Sequence, residues 1–268
     1  MNINTMRQRQ SRPSVARVYS YVLGGRDHYG VDKDVGDYFK GDLPGSDQLA
    51  ITNRHAVRRA VSSMAKQGIR QFIDIGCGLP DPDNSDVHQV AREQHADAHI
   101  VYVDNDPFVA GHGRALLAVD SGIAFVEADA SKPEAIREHE DVKRLINFDE
   151  PVGILFAAVL SFLEDDEDPS GVVRYWTEQV PTDSLIYISH FRSGETREAI
   201  ATERKIIDAF GRGRLRPIKE IEALFGDLEP LDTPTVRPCA EWRPDDTMEP
   251  HKLTDFETMV VAGIARKR

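Results

Sequence analysis

At 268 residues the chain is long enough for one large domain, or for one domain with an added segment. Its 45 acidic and 33 basic residues give a formal charge of -12, a surface that repels phosphate backbones and disfavours general nucleic-acid binding. The longest apolar run, Val152 to Leu163, falls short of the about 20 residues that span a bilayer, so no membrane association is expected.

Two cysteines, Cys77 and Cys239, make no disulfide framework, and no His/Cys cluster suggests a metal. The stretch Met1 to Arg17 is polar and basic without an apolar segment of the kind a secretory signal carries, so a cytoplasmic protein is expected. Arg212, Arg214 and Arg216 form a compact basic stretch that reads as a solvated loop.

The N-terminal section reads as helical and loop-rich. Asp47 is placed to cap a helix running to about Gln67, with Val57, Ala60, Val61, Met64 and Ala65 at helical spacing and Gly68 as its stop. From about residue 70 strands and helices alternate. Gln71 to Ile75 reads as a buried strand, followed by a helix to about Gln94. His99 to Val103 is a second strand, and Pro107 fits the first turn of the next helix. Ala124 to Glu127 is a third strand, with a helix from Pro133. Val152 to Val159 is the most apolar strand and so belongs at the centre of the sheet. A helix from Asp168 to Pro181, a strand from Ser184 to Ser189, a charged helix from Glu195 to Phe210 and a short helix after Pro217 complete the alternation. Two last strand candidates, Thr233 to Arg237 and Thr258 to Ala265, have no strong helix between them. Parallel neighbours need a crossover, so this pair predicts a hairpin. The expected fold is α/β: a mostly parallel sheet with one antiparallel strand near its edge and helices on both faces.

In such sheets ligands bind outside the carboxyl ends of the strands, and three ends carry suggestive residues. The first is Asp74-Ile75-Gly76-Cys77-Gly78, which is either a tight strand-to-helix turn or a loop whose backbone lies close to a ligand. No third glycine follows, as a dinucleotide-binding loop needs. The continuation, with Asp81, Asp83 and Asp86, suits a cationic cofactor better than a diphosphate. The second is Asp104, followed by Asn105. It is either a helix cap or an acceptor for two ribose hydroxyls, and Asp106 is the better placed cap. The third is Asp129, either a cap or an acceptor for an adenine amino group, with Ala128 and Ala130 leaving room for a ring.

This series resembles the Rossmann-like methyltransferases. More closely, the chain resembles an actinobacterial S-adenosyl methyltransferase family, formerly a domain of unknown function. The resemblance rests on Pro13 to Tyr19, Leu23-Gly24-Gly25-Arg26-Asp27, Asn53-Arg54, Phe72 to Pro80 and Val101 to Pro107, and covers nearly the whole chain. It implies a seven-stranded sheet with an antiparallel strand, and S-adenosylmethionine as cofactor. Ser20 departs from a position that is often Asp in the family, and Ser161 from one that is commonly His, which argues against a catalytic histidine there.

The expected organisation is an N-terminal helical extension and cofactor lid over residues 1–68, and a cofactor-binding domain over residues 69–268. Tyr19, Tyr21 and Tyr29 are candidates to pack around the ligand, Gly24-Gly25 to shape the lid, and Arg26 or Asp27 to approach the methionine end. The alternative is an arm that covers the sheet edge. The expected cofactor-binding set is Asp74, Gly76, Gly78, Asp104, Asn105, Asp129, Ala130, Tyr19, Gly24 and Gly25. Candidate general bases are His190, Asp165, Asp166 and His28, each read first as structural or solvated. Phe156, Phe162, Tyr187, Phe191 and Trp242 are candidates to line an acceptor pocket. The leading expectation is a methyltransferase acting on a small molecule. A non-catalytic cofactor-binding module is the alternative, and a nicotinamide oxidoreductase is disfavoured by the missing glycine and the late hairpin. Oligomeric state is not legible.

Overall fold

Side chains along a strand point alternately to opposite faces, and this alternation divides the apolar interior in two. Phe72, Ile100, Leu155, Tyr187 and Ile264 face one layer of helices, while Ile73, Val101, Ile154, Ile186 and Ala265 face the other. The computed structural model describes residues 11–116, 120–243 and 251–268.

Three helices come first: α1 (Val15–Val22), α2 (Gly30–Asp42) and α3 (Gln48–Lys66). Then follow β1 (Gln71–Ile75), α4 (Val87–Arg92), β2 (His99–Asp104), α5 (Pro107–Leu116) and β3 (Ile123–Glu127). The segment after Pro133 holds two short helices, α6 (Pro133–Arg137) and α7 (Glu140–Leu145), where one was expected. The break falls at His139, whose Nδ1 accepts the N–H of Asp141 and starts the second helix. The remainder is β4 (Gly153–Ala157), α8 (Pro169–Gln179), β5 (Leu185–Phe191), α9 (Arg197–Phe210), α10 (Ile218–Ala223), β6 (Glu229–Pro230), β7 (Arg237–Pro238), α11 (Asp255–Thr258) and β8 (Val260–Arg266).

The strands form one sheet in the order β3-β2-β1-β4-β5-β8-β6, with β7 also paired to β8. The first five are mutually parallel. β8 runs antiparallel to β5, with Tyr187 opposite Ile264. The sheet is seven positions wide, and two two-residue strands, β6 and β7, share the outermost one. β4 ends two residues earlier than the apolar run suggests. Ala158 turns into the left-handed region at φ 60°, and a 3₁₀ turn, Val159–Phe162, follows.

α3 contributes Ala56, Ala60, Val61 and Met64 to one core layer, and α8 contributes Val172, Val173 and Trp176 to the other. Among the described residues no helix is long and apolar enough to cross a membrane, and no group of side chains is arranged to hold a metal ion. Met64 is fully buried, so Met64→Ala leaves a cavity between α3 and the sheet. It is expected to lower unfolding free energy by about 2–5 kcal/mol in a denaturant titration. A loss below about 1 kcal/mol would mean that α3 is not integral to this core.

Candidate functional site

The strand order reverses direction between β1 and β4, and at such a switch point the loops diverge and leave a crevice. A cavity of about 860 Å³ occupies this position, near the upper end of the about 300–1,000 Å³ usual for small-molecule sites. Its wall includes Asp74, Gly76 and Gly78 after β1, Asp104 and Asn105 after β2, and Asp129 and Ala130 after β3. It also includes Tyr19 of α1. The cavity thus brings together eight of the ten residues singled out in the sequence.

Gly24 and Gly25 are the exceptions. They close the end of α1, where the Gly25 N–H donates to the Ser20 carbonyl, and a Cβ at Gly25 would lie 2.2 Å from the Ser20 hydroxyl. Their role is a tight helix stop, away from the cavity wall. Arg26 and Asp27 are exposed, with Asp27 3.6 Å from His112. Tyr21 donates to Asp37, and Tyr29 packs on Phe108, so neither ring lines the cavity.

Asp104 is the best-connected of the strand-end carboxylates. Oδ2 accepts the Gly78 N–H at 3.0 Å and Oδ1 accepts the Asp106 N–H at 2.9 Å, so the side chain ties the β1 loop to the β2 loop. Burial raises its pKa to about 6, against the lowering effect of these N–H bonds. Asp74 differs. It is 3% exposed, and its Oδ1 has no hydrogen-bond partner among the described residues. Burial raises it to about 7, with Arg54 pulling down and Asp86 and Asp104 pushing up. Between them Gly76 takes φ 74°, and a Cβ there would lie 2.6 Å from the Cβ of Val159, so only glycine fits. Asp129 accepts from the Ser131 N–H and hydroxyl through Oδ1.

The acidic loop after Pro80 does not offer its charge to the cavity as expected. Asp81 lies 3.0 Å from both Arg54 and Arg58 of α3, which neutralise it.

The N-terminal segment, of which residues 11–17 line the cavity, is held by Arg17, which is 3% exposed. Its Nη1 donates to Asp106 at 2.8 Å, its Nε to Asp32 at 2.8 Å and its Nη2 to the Arg12 carbonyl at 2.8 Å. Asp106 also caps α5 by accepting the Phe108 N–H. A second chain of hydrogen bonds starts at Tyr19, whose hydroxyl donates to the Ala50 carbonyl and accepts from Asn53 Nδ2. Asn53 Oδ1 accepts from the Ser189 hydroxyl at 2.6 Å, and that hydroxyl accepts the Ala158 N–H. This relay holds Ala158 in its left-handed conformation on the cavity wall.

Arg216 is not a solvated residue. It is 3% exposed and donates to the Leu160 and Leu163 carbonyls, to Asp165 and to His190 Nε2. Arg212 and Arg214 pair with Glu167 and Asp165, so the basic stretch is a clamp on the loop after β4. Ser161 belongs to the same clamp and accepts the Phe191 N–H. Of the five aromatic residues considered, Phe162 and Phe191 line the cavity, and Phe210 joins them. Phe156, Tyr187 and Trp242 are fully buried in the core.

Along residues 2–268 the chain matches the profile of a family described as S-adenosyl methyltransferase. The chain belongs to this S-adenosyl methyltransferase family. A candidate methyltransferase structure from Thermobifida fusca YX is 37% identical over 96% of each chain, with a TM-score of 0.90. A DUF574 family protein from Streptomyces avermitilis MA-4680 is 30% identical, covers 97% of this chain and 99% of its own, and also has a TM-score of 0.90. The plantazolicin methyltransferase BamL shares the fold at 13% identity over 99% of each chain, with a TM-score of 0.53. Among curated proteins no significant match is found. The cofactor of the family is S-adenosylmethionine, and the chain is a methyltransferase of the Rossmann-like class.

None of the sequence's candidate bases reaches the cavity of this methyltransferase. His190 is buried, and Arg216 donates to its Nε2, so its proton sits on Nδ1 and is donated to the Phe191 carbonyl. Burial lowers its pKa to about 4. Asp165 is engaged by Arg214 and Arg216, Asp166 is exposed, and His28 packs against Tyr21. Arg17 and Arg54 lie in stretches that carry the family resemblance, while Phe210 and Arg212 carry no cue in local sequence, because long-range packing sets them.

The raised pKa of Asp74 has a measurable consequence. In the free protein the folded value, about 7, lies above the unfolded value, so the folded state holds more protons between them. Stability from this group is therefore complete below about pH 4 and is lost as pH rises through about 7. Asp74→Asn is expected to remove that slope. Between about pH 5 and about pH 8 the melting temperature of the ligand-free wild type falls more than that of the variant. Parallel curves would mean that Asp74 is not a buried, uncompensated acid.

Proposed function

We propose that this methyltransferase transfers a methyl group from S-adenosylmethionine to a small organic acceptor held beside the loop after β4. The observation that carries the reading is the ordered series Asp74, Asp104 and Asp129 on one cavity wall, with one oxygen of Asp74 buried and unpartnered. These residues fit the cofactor. In this reading Asp104 accepts from the ribose hydroxyls, supported by Asn105, and Asp74 takes the ammonium of the methionine moiety. Asp129 accepts from the adenine amino group between Ala128 and Ala130. Of the expected extension over residues 1–68, residues 1–10 lie outside the described ones, and residues 11–68 act as helical extension and lid, with Arg17 as the tie between α1 and the end of β2. Residues 69–268 act as the cofactor domain. The surface charge of -12 argues against nucleic acid as acceptor. The BamL structure holds a triazolic acceptor analogue with S-adenosylhomocysteine, and a related fold receiving a small organic molecule supports the same class here.

S-adenosylmethionine supplies a methyl group already activated on a sulfonium, transferred by in-line displacement. The protein's part is to hold acceptor and donor in line, an effect worth up to about 7–11 kcal/mol. Among the described residues, the wall beside the loop after β4 carries no carboxylate or imidazole. Tyr19 is pushed by burial up to about 12 and is already hydrogen-bonded, and Phe162, Leu163, Phe191 and Phe210 are apolar. The acceptor therefore brings a nucleophilic atom that needs no base from the protein.

Two measurements test the reading. In isothermal titration the wild type binds S-adenosylmethionine and S-adenosylhomocysteine at one site, and Asp104→Ala binds about 10–100-fold more weakly. Unchanged binding would remove Asp104 from the site. Binding is also expected to strengthen as pH rises. Asp74 and Asp104, at about 7 and about 6 in the free protein, must ionise to meet a cationic ligand. Each proton released weakens binding by up to about tenfold per pH unit below its pKa. An affinity independent of pH between about 5 and about 8 would contradict the assigned roles.

A further inference from the structure

We infer that the end of the cavity beyond β4 receives a flat aromatic ring bearing an anionic group, with Phe162, Phe191 and Phe210 holding the ring and Arg212 the anion. This rests on the methyl-transfer reading above and names the class of acceptor. Three separate elements deliver the phenylalanines: Phe162 from the 3₁₀ turn after β4, Phe191 from the end of β5 and Phe210 from the last position of α9. All three line the cavity. Phe162 stands edge-on to both others, at 6.2 Å and 88° from Phe191 and at 6.1 Å and 86° from Phe210. Rings set perpendicular to one another offer a face and an edge at once, the two surfaces against which a further planar ring packs well. Phe162 and Phe210 are only half-buried, so apolar ring surface is left toward the cavity.

Arg212 lies next to this cluster. Its neighbour Gly213 abuts Phe162, where an added Cβ would lie 3.6 Å from the ring. The guanidinium is anchored by Glu167, which is itself fixed by accepting the Glu164 N–H at 2.8 Å. Among the described residues Glu167 engages only Nη2, and the Arg212 side chain is 39% exposed and lines the cavity, which leaves guanidinium donors for a ligand. Around it the wall is apolar, with Ala157, Val159 and Leu163, while the carboxylates Asp74, Asp104 and Asp129 lie on the strand-end side. The cavity therefore has its strand-end carboxylates on the β1–β3 side, and the phenylalanines with the Arg212 guanidinium on the β4–β5 side. A planar acid fits the second side in shape and charge, and a carboxylate suits the fork of an arginine. Two perpendicular rings and one ionic anchor fix a ring in orientation as well as position, which a site that works by alignment needs.

The test uses the full chain saturated with S-adenosylhomocysteine and titrated with three probes: 2-naphthoate, its neutral amide 2-naphthamide, and cyclohexanecarboxylate. The expected result is saturable binding of 2-naphthoate, at least about tenfold tighter than that of cyclohexanecarboxylate. Arg212→Gln is expected to weaken 2-naphthoate at least about tenfold and to leave 2-naphthamide unchanged. Phe162→Leu weakens both aromatic probes, with S-adenosylhomocysteine binding retained as the check that the fold is intact. Equal binding of 2-naphthoate and cyclohexanecarboxylate, or a naphthoate affinity indifferent to Arg212→Gln, overturns the inference while leaving methyl transfer standing. Failure of the wild type to bind S-adenosylhomocysteine overturns both.

Discussion

The carboxylate of Asp104 is the constraint on which the site depends. It accepts N–H groups from two loops that leave adjacent strands, and the spacing between those loops sets the width of the cavity at its strand-end side. From Asp104 a continuous line of polar bonds runs outward through Asp106, Arg17 and Asp32 to the N–H groups of Ser14 and Tyr29. The starts of α1, α2 and α5 are thereby fixed in register with the ends of β1 and β2. Hydrophobic packing is non-directional and cannot set such a register alone. Charge-assisted bonds of fixed geometry can.

Holding carboxylates in this position has a cost, and the two principal ones bear it differently. Asp104 recovers part of its lost hydration from backbone N–H groups and stays near 6, as burial and hydrogen bonding partly cancel. Asp74 lacks a partner for one oxygen and stands higher, at about 7. Arg54 lies near enough to pull Asp74 down, but Asp81 and Asp86 already share its charge. Buried acids without full compensation are a poor way to stabilise a fold. They are a common feature of sites, where local stability is exchanged for the ability to meet a ligand.

The strands that build this site were legible because their signals are local. β1 has the same limits in sequence and structure, and α9 ends at Phe210 as expected, with Gly211 capping it in the left-handed region. The strand-end acids followed from the rule that ligands lie at such ends. What escaped was set from a distance. Ala158 adopts a conformation usually reserved for glycine because Ser189 holds its N–H, and nothing at position 158 announces this. Gly24 takes a left-handed backbone and Gly25 a close approach to Ser20, but both serve a helix stop. Arg216 looked exposed because its neighbours in sequence are charged, while four acceptors, three after β4 and one on β5, draw it inside. β6 and β7 are too short to carry any period.

The loop after β4 shows why those distant bonds matter. It contains no acid or base from Ala157 to Leu163, yet it is pinned by polar bonds from β5 and from Arg216. Ser189 takes the Ala158 N–H, Ser161 takes the Phe191 N–H, and Arg216 takes the Leu160 and Leu163 carbonyls. A loop that supplied a base would tolerate some play, because a proton can pass through a water molecule. A loop that supplies only a wall has one contribution to make, which is to be in the right place. A displacement of about 1 Å in such an alignment costs on the order of 100-fold in rate. The polar clamp on an apolar loop is thus a device for alignment: the activated group resides in the cofactor, and the protein's effort goes into rigidity.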